Sequence, residues 1–134
     1  MQWLINLVAE RVIATIGIPP TYIDRGDVEF ADWNRDDLTI DGAWHELDVS
    51  AIVPANASAI LFNMWMEDGV VHQFAGLRKS GRVYAWMEWG GWTQVGGAVV
   101  QQGIIVPTSP NGKVEYLVHT GMDWIFFTVR GWWL

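Results

Sequence analysis

Residues 59–66 read Ala59-Ile60-Leu61-Phe62-Asn63-Met64-Trp65-Met66. Side chains alternate across a β-strand with a period of two. One alternate set here is Ile60, Phe62, Met64 and Met66, apolar throughout, and the other is Leu61, Asn63 and Trp65. The same period recurs on both sides of this run. Leu47 and Val49 share a face with His45, against Trp44, Glu46 and Asp48. Val83, Ala85, Met87 and Trp89 alternate with Tyr84, Trp86 and Glu88, and Val114, Tyr116 and Val118 alternate with Glu115, Leu117 and His119. Ile125, Phe127 and Val129 stand opposite Trp124, Phe126, Thr128 and Arg130. This is strand patterning, and no helical stripe of useful length follows residue 20.

The breaks between these runs agree. Asp41-Gly42, Asp68-Gly69, Ser80-Gly81, Gly90-Gly91, Asn111-Gly112 and Thr120-Gly121 recur at intervals of about ten residues, and Gly, Asn and Asp tolerate the positive φ that hairpin turns demand. The pattern predicts an all-β, jelly-roll-like antiparallel β-sandwich of about eight strands over residues 28–134. Residues 1–27 are predicted to be an N-terminal arm or edge strand. Trp3, Leu4, Leu7, Val8 and Val12 fit a helical stripe, the β-branched content permits an extended arm, and Gly17 with Pro19-Pro20 breaks whatever precedes.

Composition narrows the function. The 134 residues are 51% hydrophobic and 17% charged, with ten Trp and a net charge of −7. A single domain of this length buries about two-thirds of its unfolded surface. Its charged fraction is below the ~25% usual for soluble domains, so apolar surface is left for copies of itself or a partner to cover. The acidic balance disfavours phosphate backbones, which call for clustered Lys and Arg; the run Arg78-Lys79-Ser80-Gly81-Arg82 reads as a polar hairpin tip. With no cysteine, disulfide frameworks, zinc thiolate sites and cysteine nucleophiles are excluded, and assembly in a reducing cytoplasm is expected. The apolar stretch 1–16 lacks a basic n-region and is interrupted by Glu10 and Arg11, which reads neither as an export signal nor as a membrane span.

No constellation for catalysis stands out. There is no Gly-x-Ser-x-Gly elbow and no His-Glu-x-x-His, and His45, His72 and His119 fall on separate segments. Asp32, Asn34 and Asp36 match the first ligands of a calcium loop, yet Asp37 stands where Gly is required and Ala43 where the closing Glu belongs. No carboxylate pair is marked out for glycosidase chemistry. The reading is a binding protein with no catalytic residue, metal or cofactor. Two apolar faces on one strand point to a second buried surface, because the outer faces of a sandwich are ordinarily polar. The candidate interface residues are Trp3, Leu4, Leu7, Trp65, Trp124, Trp132 and Trp133.

Trp44-His45-Glu46-Leu47-Asp48-Val49-Ser50-Ala51-Ile52-Val53-Pro54, followed by the strand at 59–66, resembles a recurring phrase in small phage structural β-sandwiches. The closing run Ile125-Phe126-Phe127-Thr128-Val129-Arg130-Gly131-Trp132-Trp133 is similar to theirs as well. The resemblance covers about the last ninety residues. It implies a capsid decoration (cement) protein of the virion, assembled in the host cytoplasm, bound to the major capsid protein and to itself as a homotrimer, without nucleic acid or membrane. A tail or baseplate component has the same scaffold. A carbohydrate- or receptor-binding module, with Trp86, Trp89 and Trp92 as a stacking platform, is the alternative from another class.

Overall fold

The computed structural model describes Gln2 and residues 20–28, 31–83 and 89–134. The expected arm with Trp3, Leu4 and Leu7 lies outside these residues, as does Trp86. Nine strands follow in order: β1 (Tyr22–Asp24), β2 (Trp33–Asn34), β3 (His45–Asp48), β4 (Ala59–Glu67), β5 (Phe74–Lys79), β6 (Trp89–Trp92), β7 (Val100–Pro107), β8 (Lys113–Val118) and β9 (Trp124–Trp133). All pairings are antiparallel. One sheet runs β1-β9-β4-β7 with β2 also on β9, and the other runs β3-β8-β5-β6. β1 and β2 lie along β9 at 131–133 and 126–127 and form a single interrupted edge strand. Counted so, the described residues form eight strands in two four-stranded sheets, in the strand order of a jelly roll.

The core is the alternation made physical. Ile60, Phe62, Met64 and Met66 from β4 and Ile125, Phe127 and Val129 from β9 are fully buried. They face Leu47, Ala75, Leu77, Val114, Tyr116 and Val118 from the opposite sheet. Each such large apolar side chain contributes about 1.5–3 kcal/mol when taken from water. Tyr116 brings a hydroxyl into this layer and accepts a hydrogen bond from the Thr39 amide at 2.8 Å, so its polar end is satisfied.

Two details depart from strict alternation. The β4–β9 register shifts between Leu61 and Phe62, which stand opposite Gly131 and Val129, so Arg130 is an extra, bulged residue. The bulge reverses the parity of the last residues of β9, placing Trp132 opposite the inward Ile60 and Trp133 opposite the outward Ala59. Gly90-Gly91 is no turn: it lies inside β6, opposite Gly76 and Ala75. Positive φ does occur at Gly42, Gly81, Gly112 and Gly121, as the turn dipeptides require. Gly131 is needed for another reason, since a Cβ there would collide with the Tyr22 hydroxyl and the Ile23 carbonyl.

Between β1 and β2 the chain leaves the edge of β9, and side chains take over the ladder. The Arg25 amide donates to the Arg130 carbonyl and the Asp32 amide to the Phe127 carbonyl, both at 3.0 Å. In the gap, Arg25 Nη1 donates to the Val129 carbonyl at 3.1 Å, while the Val129 amide donates to Asp32 Oδ2 at 2.8 Å. The two side chains grip each other in a fork, Nη1 to Oδ2 at 2.5 Å and Nη2 to Oδ1 at 2.9 Å. This part-buried pair thus stands in for missing backbone partners. Asp32→Ala leaves the Arg25 guanidinium without its carboxylate partner and the Val129 amide without its acceptor, and is expected to lower stability by about 2–3 kcal/mol in urea unfolding. Lys113→Ala, which breaks the exposed pair with Glu46, is expected to leave the urea midpoint unchanged.

Candidate functional site

The register of the first sheet assigns its outer face position by position. The outermost row is Tyr22, Trp133, Ala59 and Pro107, and the next is Asp24, Gly131, Leu61 and Ile105. Thr128, Asn63 and Gly103 follow, then Asn34, Phe126, Trp65 and Gln101, and finally Trp124 beside Glu67. Two aromatic pairs stiffen the face: Tyr22 with Trp133 at 5.0 Å between centroids, and Trp65 with Phe126 at 5.1 Å. Ile105 is 49% exposed and Trp124 53%. Among the described residues, the outward positions 59–65 of β4, 101–107 of β7 and 126–133 of β9 carry one charge, Arg130. It borders a shallow notch with Leu61, Asn63, Gln101 and Gly103.

The lower end of the face differs. Asn34, Arg35, Asp36, Asp123, Trp124 and Phe126 line an open groove of about 570 Å³. Local bonds shape its walls. Asn34 and Asp37 form a reciprocal cap around the 3₁₀ turn Arg35–Asp37, with the Asp36 amide donating to Asn34 Oδ1 at 2.8 Å and the Asn34 amide to Asp37 Oδ2 at 2.9 Å. Arg35 Nε donates to the Met122 carbonyl at 2.7 Å, and Asp123 Oδ2 accepts from the Gly69 amide at 3.0 Å. The acidic run that resembles the start of a calcium loop is thus divided: Asp32 bonds to Arg25, Asn34 and Asp37 cap the turn, and Asp36 stands at the groove.

The outer face of the second sheet is more polar. Arg78 pairs with Glu115 at 2.7 Å, both nearly buried, and the Trp44 ring lies 4.0 Å from the guanidinium. The Gly81 amide donates to the other Glu115 oxygen at 2.7 Å, tying the hairpin tip to the sheet. Phe74, Trp92 and His119 form an aromatic cluster there. The three histidines stay apart: His45 contacts Asp41 at 2.8 Å, His72 sits in a turn at φ 62°, and His119 packs edge-on to Phe74. Among the described residues, no three His, Asp or Glu side chains are grouped to hold a metal ion.

The structure sorts the predicted interface residues. Trp65, Trp124 and Trp133 share the outer face of the first sheet. Trp132 does not join them: the bulge turns it inward, and it packs against the core together with Trp33 and Trp89. With Trp89 inward and Trp92 outward, the suggested Trp86, Trp89 and Trp92 platform is not assembled by its two described members. Tyr22, Leu61, Ile105 and Phe126 belong to the apolar face and were legible only in part. The alternation of β7, with Ile104 and Val106 in and Ile105 out, is the signal that marks Ile105. Nothing local links Asn34 and Asp36 to Asp123.

Comparisons with protein-family models, with curated proteins and with solved structures yield no match.

The sorting of Trp132 and Trp133 has a direct test. Trp132→Ala opens a cavity at the core edge and is expected to cost about 3 kcal/mol in urea unfolding. Trp133→Ala loses its contact with Tyr22 on the outer face and is expected to cost less than half as much. A second test concerns acid. Hydrogen bonds from the Ser50 hydroxyl and amide hold the exposed Asp48 carboxyl below its usual range. The Ala43 amide and His45 do the same for Asp41. A carboxylate with a lowered pKa in the folded state adds stability above its unfolded value near ~4, and loses it as pH falls through the folded value. Asp48→Asn is therefore expected to flatten the fall of melting temperature between pH 5 and pH 2.

Proposed function

We propose that this chain is a non-catalytic structural protein of a virus particle, a capsid decoration protein that associates with copies of itself and with the shell beneath it. The observation that carries the reading is the outer face of the β1-β9-β4-β7 sheet. A two-layer sandwich with a solvated outer surface shows polar side chains there. This one shows Tyr22, Trp133, Leu61, Ile105, Trp65 and Phe126, with Arg130 and, at the lower end, Glu67 the charges among the described outward positions of its three long strands.

The physical case follows from that face. Contiguous apolar surface on a soluble domain marks a place where another surface sits. Trp and Tyr in mutual contact present large rigid areas, so little side-chain entropy is lost on docking. The upper rows, Tyr22 with Trp133 and Leu61 with Ile105, suit a second copy of the chain because they are apolar across β9, β4 and β7, with Asp24 confined to the β1 edge, on a molecule of net charge −7. The jelly-roll strand order supports the same reading, as it is the scaffold that the resemblance to phage structural sandwiches implies.

Light scattering at micromolar concentration tests the proposal. The protein is expected to scatter as three copies of the chain. Ile105 is half exposed, so Ile105→Glu is expected to shift the mass to one copy while leaving the melting temperature nearly unchanged. A wild-type monomer that also fails to co-sediment with capsid shells refutes the proposal. So does a trimer indifferent to Ile105→Glu and Leu61→Glu.

A further inference from the structure

We propose that the groove at the lower end of the outer face is a carbohydrate-binding site for neutral glycans, distinct from the assembly surface. Its lining combines two chemistries that a pyranose presents together. A sugar ring offers an apolar C–H face and a rim of hydroxyls at fixed angles. Trp124, 53% exposed at the start of β9, supplies a flat apolar surface. Asn34, Asp36, Asp123 and Arg35 supply donors and acceptors around it within the same groove of about 570 Å³, a size that suits a small ligand.

The walls are held by the protein, so the site is formed in advance. Arg35 is anchored through Nε to the Met122 carbonyl, Asp123 through one oxygen to the Gly69 amide, and Asn34 through the cap it makes on the 3₁₀ turn. A site fixed this way loses little entropy when a ligand binds. Charged acceptors also make stronger hydrogen bonds to hydroxyls than neutral ones do. The charge balance selects the class of glycan. Two carboxylates, Asp36 and Asp123, and one guanidinium, Arg35, line the groove, so a uronic or sialic acid meets net repulsion and a neutral sugar does not.

Position keeps the two surfaces apart. Trp124 and Trp133 are nine steps apart along β9, about 30 Å in an extended strand. A copy docked on Tyr22, Trp133 and Ile105 therefore leaves the groove open. In an assembled particle each subunit presents one such groove, and weak single sites gain by multivalency.

The test begins with the labelled protein on a printed array of neutral and acidic glycans, followed by tryptophan-fluorescence titration of the best binder. Saturable binding to neutral glycans is expected. Trp124→Ala should weaken it by about tenfold or more, and Asp36→Ala should also weaken it. Trp92→Ala, on the opposite sheet, should leave it unchanged. An array without signal overturns the proposal, as does binding confined to acidic glycans or an affinity indifferent to Trp124→Ala. Light scattering of Trp124→Ala separates this site from the assembly reading, because the variant is expected to keep the mass of the wild type.

Discussion

The pairing of β4 with β9 is the contact on which the rest of the molecule depends. It is the longest ladder in the structure, from Ala59 opposite Trp133 to Glu67 opposite Trp124. It supplies seven fully buried core side chains: Ile60, Phe62, Met64, Met66, Ile125, Phe127 and Val129. Every other strand of the first sheet attaches to one of these two, β7 to β4 and the divided edge strand to β9. The second sheet packs against the inner surface they create. The same two strands also carry Trp65, Phe126, Trp124 and Trp133 outward. One ladder therefore sets both the core and the surface through which the protein is proposed to act.

The period-two runs and the Gly-containing turn dipeptides were sufficient to anticipate a sandwich, because alternation and turn chemistry are local properties. They could not show where the period slips. Reading Trp124, Phe126, Thr128 and Arg130 as one face holds up to the bulge, beyond which Trp132 turns inward and Trp133, the other interface candidate, outward. A bulge is a mismatch of register with the partner strand, so the residues of β9 alone do not show it. Gly90-Gly91 illustrates the opposite error. Two glycines look like a turn in isolation, yet in β6 they lie opposite Gly76 and Ala75, and a Cβ on Gly91 would press on the Gln102 side chain.

The two proposed binding surfaces were legible to different degrees. That strands with two apolar faces need a second cover is a compositional inference, and Trp65, Trp124 and Trp133 followed from it. The polar groove had no such signature. Asn34 and Asp36 meet Asp123 only because β2 pairs with β9, a contact across about ninety residues of chain. Arg25 and Asp32 are a similar case. Seven residues apart, they look like ordinary loop charges, and their role appears only once Val129 is found between them.

The place of β9 in the sheet has a consequence for how the chain is born. β1 and β2 wait for β9, and β3 waits for β8. Among the described residues, the strand pairs that can form before residue 113 has been synthesised are β4 with β7 and β5 with β6. On the ribosome the first half of the domain therefore emerges with its apolar faces uncovered, and contacts of such high sequence separation are slow to close. Folding is in effect postponed until translation reaches its last strand. Nascent chains crowded on one message thus expose to one another the same aromatic surfaces that the finished sheet turns outward.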